Sequence, residues 1–330
     1  MVKIISNRFP NQNLFLLMGI GLVILIPFLV PLFGAENYLL QWFSTDDAFY
    51  YFKIAGNITQ GLGSTFDGIS PTNGYHPLWM LVLIPIYFLG GSNPVIPLKV
   101  VVFVQYLFLF GTVLVFINCL RSRVSFYTLV ISGISLVLLE PVFNVVTNGT
   151  ESAINLFFLV LLWSSLVKRT SKKDIFSSNI LLQISVISIL LLFARLDNIF
   201  IITSVGLMLF FQAIQKSDQE YIYFRIKKGI KVGLIYGLPI LISLLLFFIW
   251  NKSLFNTWMP LSGQIKQYWG TLGNTIYGIS VQGKGDMLAE FISPDINLGP
   301  WAILTKPINT ILEKFWINYY RGMRQVSLGI

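Results

Sequence analysis

The stretch Val100–Leu120, VVVFVQYLFLFGTVLVFINCL, decides the fold class. It carries no charge over the roughly 20 residues that a helix needs to cross a bilayer. It does not alternate apolar and polar positions, which excludes a strand of a membrane β-barrel. Arg121 and Arg123 follow it, as expected where a span leaves the membrane on its basic side. Similar runs recur at Leu14–Phe33, Val124–Val146, Ala153–Val167, Ile180–Ala194, Ile199–Ala213 and Val232–Trp250. The chain is 55% hydrophobic and only 11% charged, with a mean hydropathy of +0.73. The reading is an all-α polytopic membrane protein of about seven spans.

Charge sets the expected orientation. The net charge is +9, but most basic residues sit in short clusters between spans. They read as topology signals and not as a nucleic-acid surface. The clusters are Lys3 with Arg8, Arg121 with Arg123, Lys168 to Lys173, and Lys216 to Lys231. If all four are cytoplasmic, an even number of crossings separates neighbours. The apolar run Pro77–Leu89, about 13 residues with Pro85 inside it, is short for a span and would break that parity. It is placed in the outer interface. No cleavable leader is evident, and Leu14–Phe33 is long enough to span. The lone cysteine, Cys119, lies within an apolar run, which rules out an intrachain disulfide. Residues 1–250 form the expected transmembrane core, with a large first outer loop at 34–97. Residues 251–330 form an extracytoplasmic loop and C-terminal segment without a clear span.

This topology gathers the candidate chemistry on the outer face. Asp46 and Asp47 follow Ser44 and Thr45 and open a stretch with helical apolar spacing at Tyr51, Ile54, Ala55, Ile58 and Leu62. Capping by Ser44 and first-turn acids also suit a helix for purely local reasons. Adjacent helical positions diverge by about 100°, so the two carboxylates would meet different partners. His76 lies in Gly74-Tyr75-His76-Pro77-Leu78-Trp79 and is the only histidine. Glu151 opens a span within Asn148-Gly149-Thr150-Glu151-Ser152, where a first-turn acid again has a local explanation. Glu140, before Pro141, interrupts an apolar run. Arg195-Leu196-Asp197 breaks the chain between two spans; it is either a local ion pair or an arginine fork for a phosphate. Asn256-Thr257-Trp258 and Lys266 follow the last span. No GxxxxGK[ST] loop for nucleotide phosphates and no GxSxG elbow is present. The sequons at Asn57 and Asn148 are of a length that arises by chance.

In these residues the chain resembles the GT-C superfamily of polytopic glycosyltransferases. It looks nearest to terminal arabinofuranosyltransferases and family 39 enzymes. The resemblance rests on Asp46-Asp47-Ala48-Phe49, Gly74 to Trp79, Gly149-Thr150-Glu151-Ser152-Ala153, Ala194-Arg195-Leu196-Asp197, and Asn256-Thr257 with Lys266. It covers roughly residues 10–270. The family's Arg-Pro-Asp stands here as Arg195-Leu196-Asp197, and members usually carry more spans after the seventh.

The resemblance implies a GT-C-type core whose first outer loop holds interfacial helices. It implies an enzyme of the plasma (inner) membrane with an extracytoplasmic site. The donor would be a polyprenyl-phosphate sugar within the lipid phase; the acceptor would be a glycan, lipid or protein hydroxyl. Transfer would proceed with inversion. Asp46 would be the base, with Asp47 the second catalytic acid. His76, Glu151, Arg195, Asp197, Asn256 and Lys266 would bind substrate. Some members use a divalent cation, Mg2+ or Mn2+, and Asp47 with Glu151 would hold it here. The rival readings are a transporter or flippase for a lipid-linked or anionic substrate, and a non-catalytic scaffold subunit. A transporter predicts inverted repeats, and none is evident.

Overall fold

The computed structural model describes residues 10–34, 36, 39–40, 43, 46–91, 93–121, 123–138, 148–169, 173–215 and 221–265. The candidates Glu140 and Lys266, with Ser44, Thr45 and Lys216, lie outside the described residues. The elements used below are α1 Pro10–Phe33, α2 Asp46–Thr59, α3 Pro77–Gly90, α4 Val95–Leu120 and α5 Phe126–Leu138, followed by α6 Ser152–Arg169, α7 Ser178–Ala194, α8 Ile199–Gln215 and α9 Ile222–Phe255. Short 3-10 turns precede α7 and α8 at Lys173–Phe176 and Leu196–Asn198. Among the described residues the only β pairing is an isolated bridge between Thr65 and Pro71. The protein is all-α in these segments. Among the described residues, four stretches are long and apolar enough to cross a membrane: Val95–Leu120, Ser152–Arg169, Leu196–Gln215 and Ile222–Phe255. A separate compact unit begins at Met259 and is described as far as Ile265, with residues 261–265 helical.

Side-chain contacts fix the run of each helix. Arg123, just past α4, donates to the Val167 carbonyl near the end of α6, and Arg169 donates to Gln183 near the start of α7. Arg225, at the start of α9, donates to the Ile214 carbonyl at the end of α8. These residues share one end of the bundle. The other end holds Glu151 at the start of α6, Arg195 at the close of α7, and Asn251 late in α9, which accepts from Asn73. The described basic clusters therefore lie at one end, and the outer-face candidates of the sequence lie at the other.

Helix α3 begins beside Glu151, since His76 precedes it. It ends where a Cβ on Gly90 would meet Pro97 at 2.4 Å. Pro97 lies about 12 Å along α4 before Gln105, at 1.5 Å per residue, and Gln105 itself reaches the Thr150 carbonyl. So α3 starts and finishes at the Glu151 end. At 14 residues it is about 21 Å long, short of the ~30 Å hydrocarbon layer.

Two apolar cores hold the bundle together. One joins α1 to α6 around Phe28, Trp79, Leu83, Leu109 and Ile154. The other joins α6 to α9 around Leu162, Leu181, Leu191 and Leu209. Outward, α9 presents Leu234, Leu238, Leu241, Leu245, Leu246 and Ile249, all exposed. A contiguous apolar face of that size suits lipid and not water.

Candidate functional site

The site starts from α2. Asp46 and Asp47 occupy its first turn, where the helix dipole favours negative charge. Of the expected apolar stripe, Tyr51, Ile54 and Ala55 are buried, with Ala48 and Phe52 beside them, while Ile58 is half-buried and Leu62 lies exposed beyond the end of the helix. Both carboxylates stay exposed, and the Asp46 Oδ1 accepts from the Asp47 amide at 3.0 Å. Asp47 stands one turn before Tyr51, so these two side chains share a face. Asp46 instead shares its face with Phe49 and Tyr50, which are exposed.

Glu151 is the centre of the site. It is buried at 6% exposure, and a buried carboxylate is costly unless it is paired. Three groups answer it from three other parts of the chain. The Tyr51 hydroxyl donates to its Oε2 at 3.0 Å. His76 Nε2 lies 3.6 Å from Oε1. Arg195 Nη1 lies 3.6 Å from the same oxygen. Tyr51 also accepts from the backbone N–H of His76 at 3.1 Å. Burial, then the charge of Glu151, pushes the Tyr51 phenol well above its ordinary range, so it stays a hydroxyl donor.

Arg195 holds Asp197 in a two-pronged pair at 3.1 and 3.0 Å. Burial works against its charge, but the hydrogen bond and charge of Asp197 prevail and hold its pKa above the ordinary value. The guanidinium thus stands between a buried acid and a 60% exposed one.

Backbone placement comes from residues that the sequence reading did not single out. Gly149 has φ +85, the left-handed region, and a Cβ there would meet Phe43 at 2.7 Å and Ala48 at 2.8 Å. Only glycine lets the turn before Glu151 pack this closely on α2. Trp79, fully buried on α3, donates its indole N–H to the Gly149 carbonyl at 3.1 Å. Asn148 Oδ1 accepts from the Thr150 amide at 3.0 Å and closes the turn. Buried Asn198 donates to Asn155 at 2.6 Å and to the Leu191 carbonyl at 2.9 Å. That pins the α7–α8 corner, with Arg195 in it, against α6.

The fold brings together His76, Glu151, Arg195 and Asp197, with Asp46 and Asp47 on the adjoining helix. Asn256 behaves differently. It caps α9 in a left-handed conformation, φ 56, and its Oδ1 accepts from Lys252 at 2.7 Å. Its neighbours do connect to the site: Asn73, three residues before His76, donates to Asn251 at 3.1 Å and approaches Thr257 at 3.4 Å. The Asn57 sequon is closed to modification in this fold. That side chain is 2% exposed and donates to the carbonyls of Thr65 and Phe66.

A divalent cation fits this donor set poorly. Among the described residues no three His, Cys, Asp or Glu side chains converge as ligands. One Glu151 oxygen accepts from Tyr51, and the other faces a guanidinium that would repel a metal.

No family model, no curated protein and no solved structure matches this chain.

Proposed function

We propose that this chain is a membrane glycosyltransferase with a GT-C-type core of about seven spans. It moves a sugar from a polyprenyl-phosphate donor to a hydroxyl on an extracytoplasmic glycan, lipid or protein. One observation carries the reading. Tyr51, His76, Glu151 and Arg195 come from four separate segments and meet at one end of an apolar bundle, beside two exposed carboxylates. The placement of α3 at that same end supports a large outer loop and the seven-span count.

The chemistry follows from these groups. Asp46 is exposed and unencumbered by the Glu151 cluster, so an acceptor hydroxyl can reach it. As the acceptor oxygen attacks the anomeric carbon, its proton passes to the Asp46 carboxylate. The bond from that carbon to the phosphate oxygen breaks, inverting the centre. Polyprenyl phosphate leaves with an added negative charge, which requires a fixed cation. Arg195 supplies it by exchanging Asp197 for phosphate. Asp197 is 60% exposed, and an exposed pair is worth only about 0–1 kcal/mol, so the exchange is cheap. Glu151, braced by Tyr51, holds the guanidinium during the exchange. The isoprenoid tail has an apolar exterior to lie against.

The test is direct. Purified protein in lipid is given polyprenyl-phosphate sugars and candidate acceptors, and release of polyprenyl phosphate is measured with sugar transfer. Coupled release and transfer support the reading. Movement of the intact donor across the bilayer without cleavage would point to a flippase instead.

A further inference from the structure

We propose a second site, independent of glycosyl transfer: a groove at the start of α9 that holds an anionic phospholipid. Lys227, Lys228 and Lys231 line it together with Phe224, Leu234 and Ile235. These positions follow helical spacing and form one face. The lysines sit at the Arg225–Ile214 end of the bundle, about 35 Å along α9 from Asn251 at 1.5 Å per residue. That distance matches a bilayer of ~30 Å hydrocarbon thickness. The lysines therefore stand at headgroup level on the face opposite Glu151, and Leu234 starts the lipid-facing apolar row.

Two features of the helix call for an anion here. Lys227 and Lys231, one turn apart, repel each other. The first turn holds no acid, and Tyr221 provides no side-chain cap. Local acids do not balance the charge: residues 216–231 contain five cations (Lys216, Arg225, Lys227, Lys228, Lys231) against Asp218 and Glu220. Lys228 lies over the Phe176 ring at 5.4 Å, which fixes one wall of the groove. A phosphodiester headgroup would satisfy the lysines, and its acyl chain would run along Leu234 and Leu238, which are exposed. The combination of cations and an adjoining apolar track selects a lipid over a free anion.

The experiment uses the full chain in neutral detergent and native mass spectrometry. Equal amounts of phosphatidylglycerol and phosphatidylcholine with identical acyl chains are offered. Each lysine near an anionic headgroup contributes about a fivefold factor. The wild type should retain phosphatidylglycerol preferentially. Lys227→Gln/Lys228→Gln/Lys231→Gln should lower that preference by about 100-fold, and Lys231→Gln alone by about fivefold. Arg121→Gln/Arg123→Gln, at the same membrane face, should keep it. The proposal is overturned if wild type shows no preference, if the triple variant keeps it, or if the Arg121/Arg123 variant loses it equally. Displacement of the lipid by inorganic phosphate at equal concentration would also overturn it, because the groove would then be a plain anion site.

Discussion

Tyr51 and Glu151, 100 residues apart in the chain, share a hydrogen bond of 3.0 Å between a phenol and a buried carboxylate. Through it, helix α2 is tied to the first turn of α6. The His76 amide donates to the same phenol, so one oxygen joins three segments of the site.

Tyr51→Phe should therefore loosen the whole constellation. It leaves Glu151 Oε2 and the His76 N–H without that partner, and stranding buried polar groups costs about 1–3 kcal/mol each. A lower thermal midpoint is expected, with a further loss of transfer activity. The pH dependence gives a second readout. A phenol whose pKa is raised on folding adds stability that is complete below its unfolded value of about 10 and is lost as pH rises through the folded value. Wild type should destabilise above about pH 10 more steeply than Tyr51→Phe. Parallel midpoint curves from pH 8 to 11 for both proteins would remove Tyr51 from this role.

Gly149→Ala tests the turn itself. The position has φ +85, and the new methyl would sit 2.7 Å from Phe43. Backbone strain alone is about 1–3 kcal/mol, and the clash adds to it. Gly237 has open space around it and lies within α9, so Gly237→Ala should be neutral or stabilising by up to about 1 kcal/mol. Denaturation of the two variants side by side separates the special glycine from the ordinary one. Equal midpoints would mean that the turn has room after all.

Arg195 carries a prediction that distinguishes substrate binding from local structure. A charge-assisted contact to phosphate is worth about 1.5–3 kcal/mol, so Arg195→Gln should weaken donor binding by about 10–150-fold. Arg195→Lys should recover only part, because a point charge lacks the planar fork. Asp197→Asn should leave donor affinity intact or improve it, since it frees the guanidinium. Donor affinity and thermal midpoint are measured on all three. If only the midpoints move, the arginine is structural and the phosphate is held elsewhere.

The orientation is tested by labelling. In a Cys119→Ser background, a cysteine replacing exposed Ser70 should react with an impermeant thiol reagent from outside the cell. One replacing exposed Ser178, at the basic end, should not. Reaction at both from outside would place a crossing between them that the seven-span arrangement lacks.

Much of the fold was legible because hydropathy and charge are local. The runs Val100–Leu120, Ala153–Val167, Ile180–Ala194 and Ile199–Ala213 each fall within a helix that extends the run by a few residues at one end or both. The last run, Val232–Trp250, is the apolar middle of a helix starting at Ile222. Hydropathy stops at Lys231, but the helix continues through the basic residues. The order of candidates was also legible, since His76, Glu151, Arg195 and Asp197 do meet. Tyr51 was read only as part of an apolar stripe. Its hydroxyl gains meaning from an acid 100 residues away, which no local pattern reveals. Asn198, Trp79 and Gly149 were missed as positioning groups for the same reason: each acts through a carbonyl or side chain on another helix.

Asp46→Asn removes the carboxylate that takes the acceptor proton. Asp46 is exposed, and among the described residues its carboxylate accepts a hydrogen bond from the neighbouring Asp47 amide, so the variant should fold with an unchanged thermal midpoint. Acceptor-dependent release of polyprenyl phosphate is measured in lipid for wild type, Asp46→Asn and Asp47→Asn. Turnover is expected in wild type, with its loss in Asp46→Asn and donor binding preserved. Wild-type rates of release in Asp46→Asn, or donor bound by wild type but never cleaved with any acceptor, would contradict this mechanism.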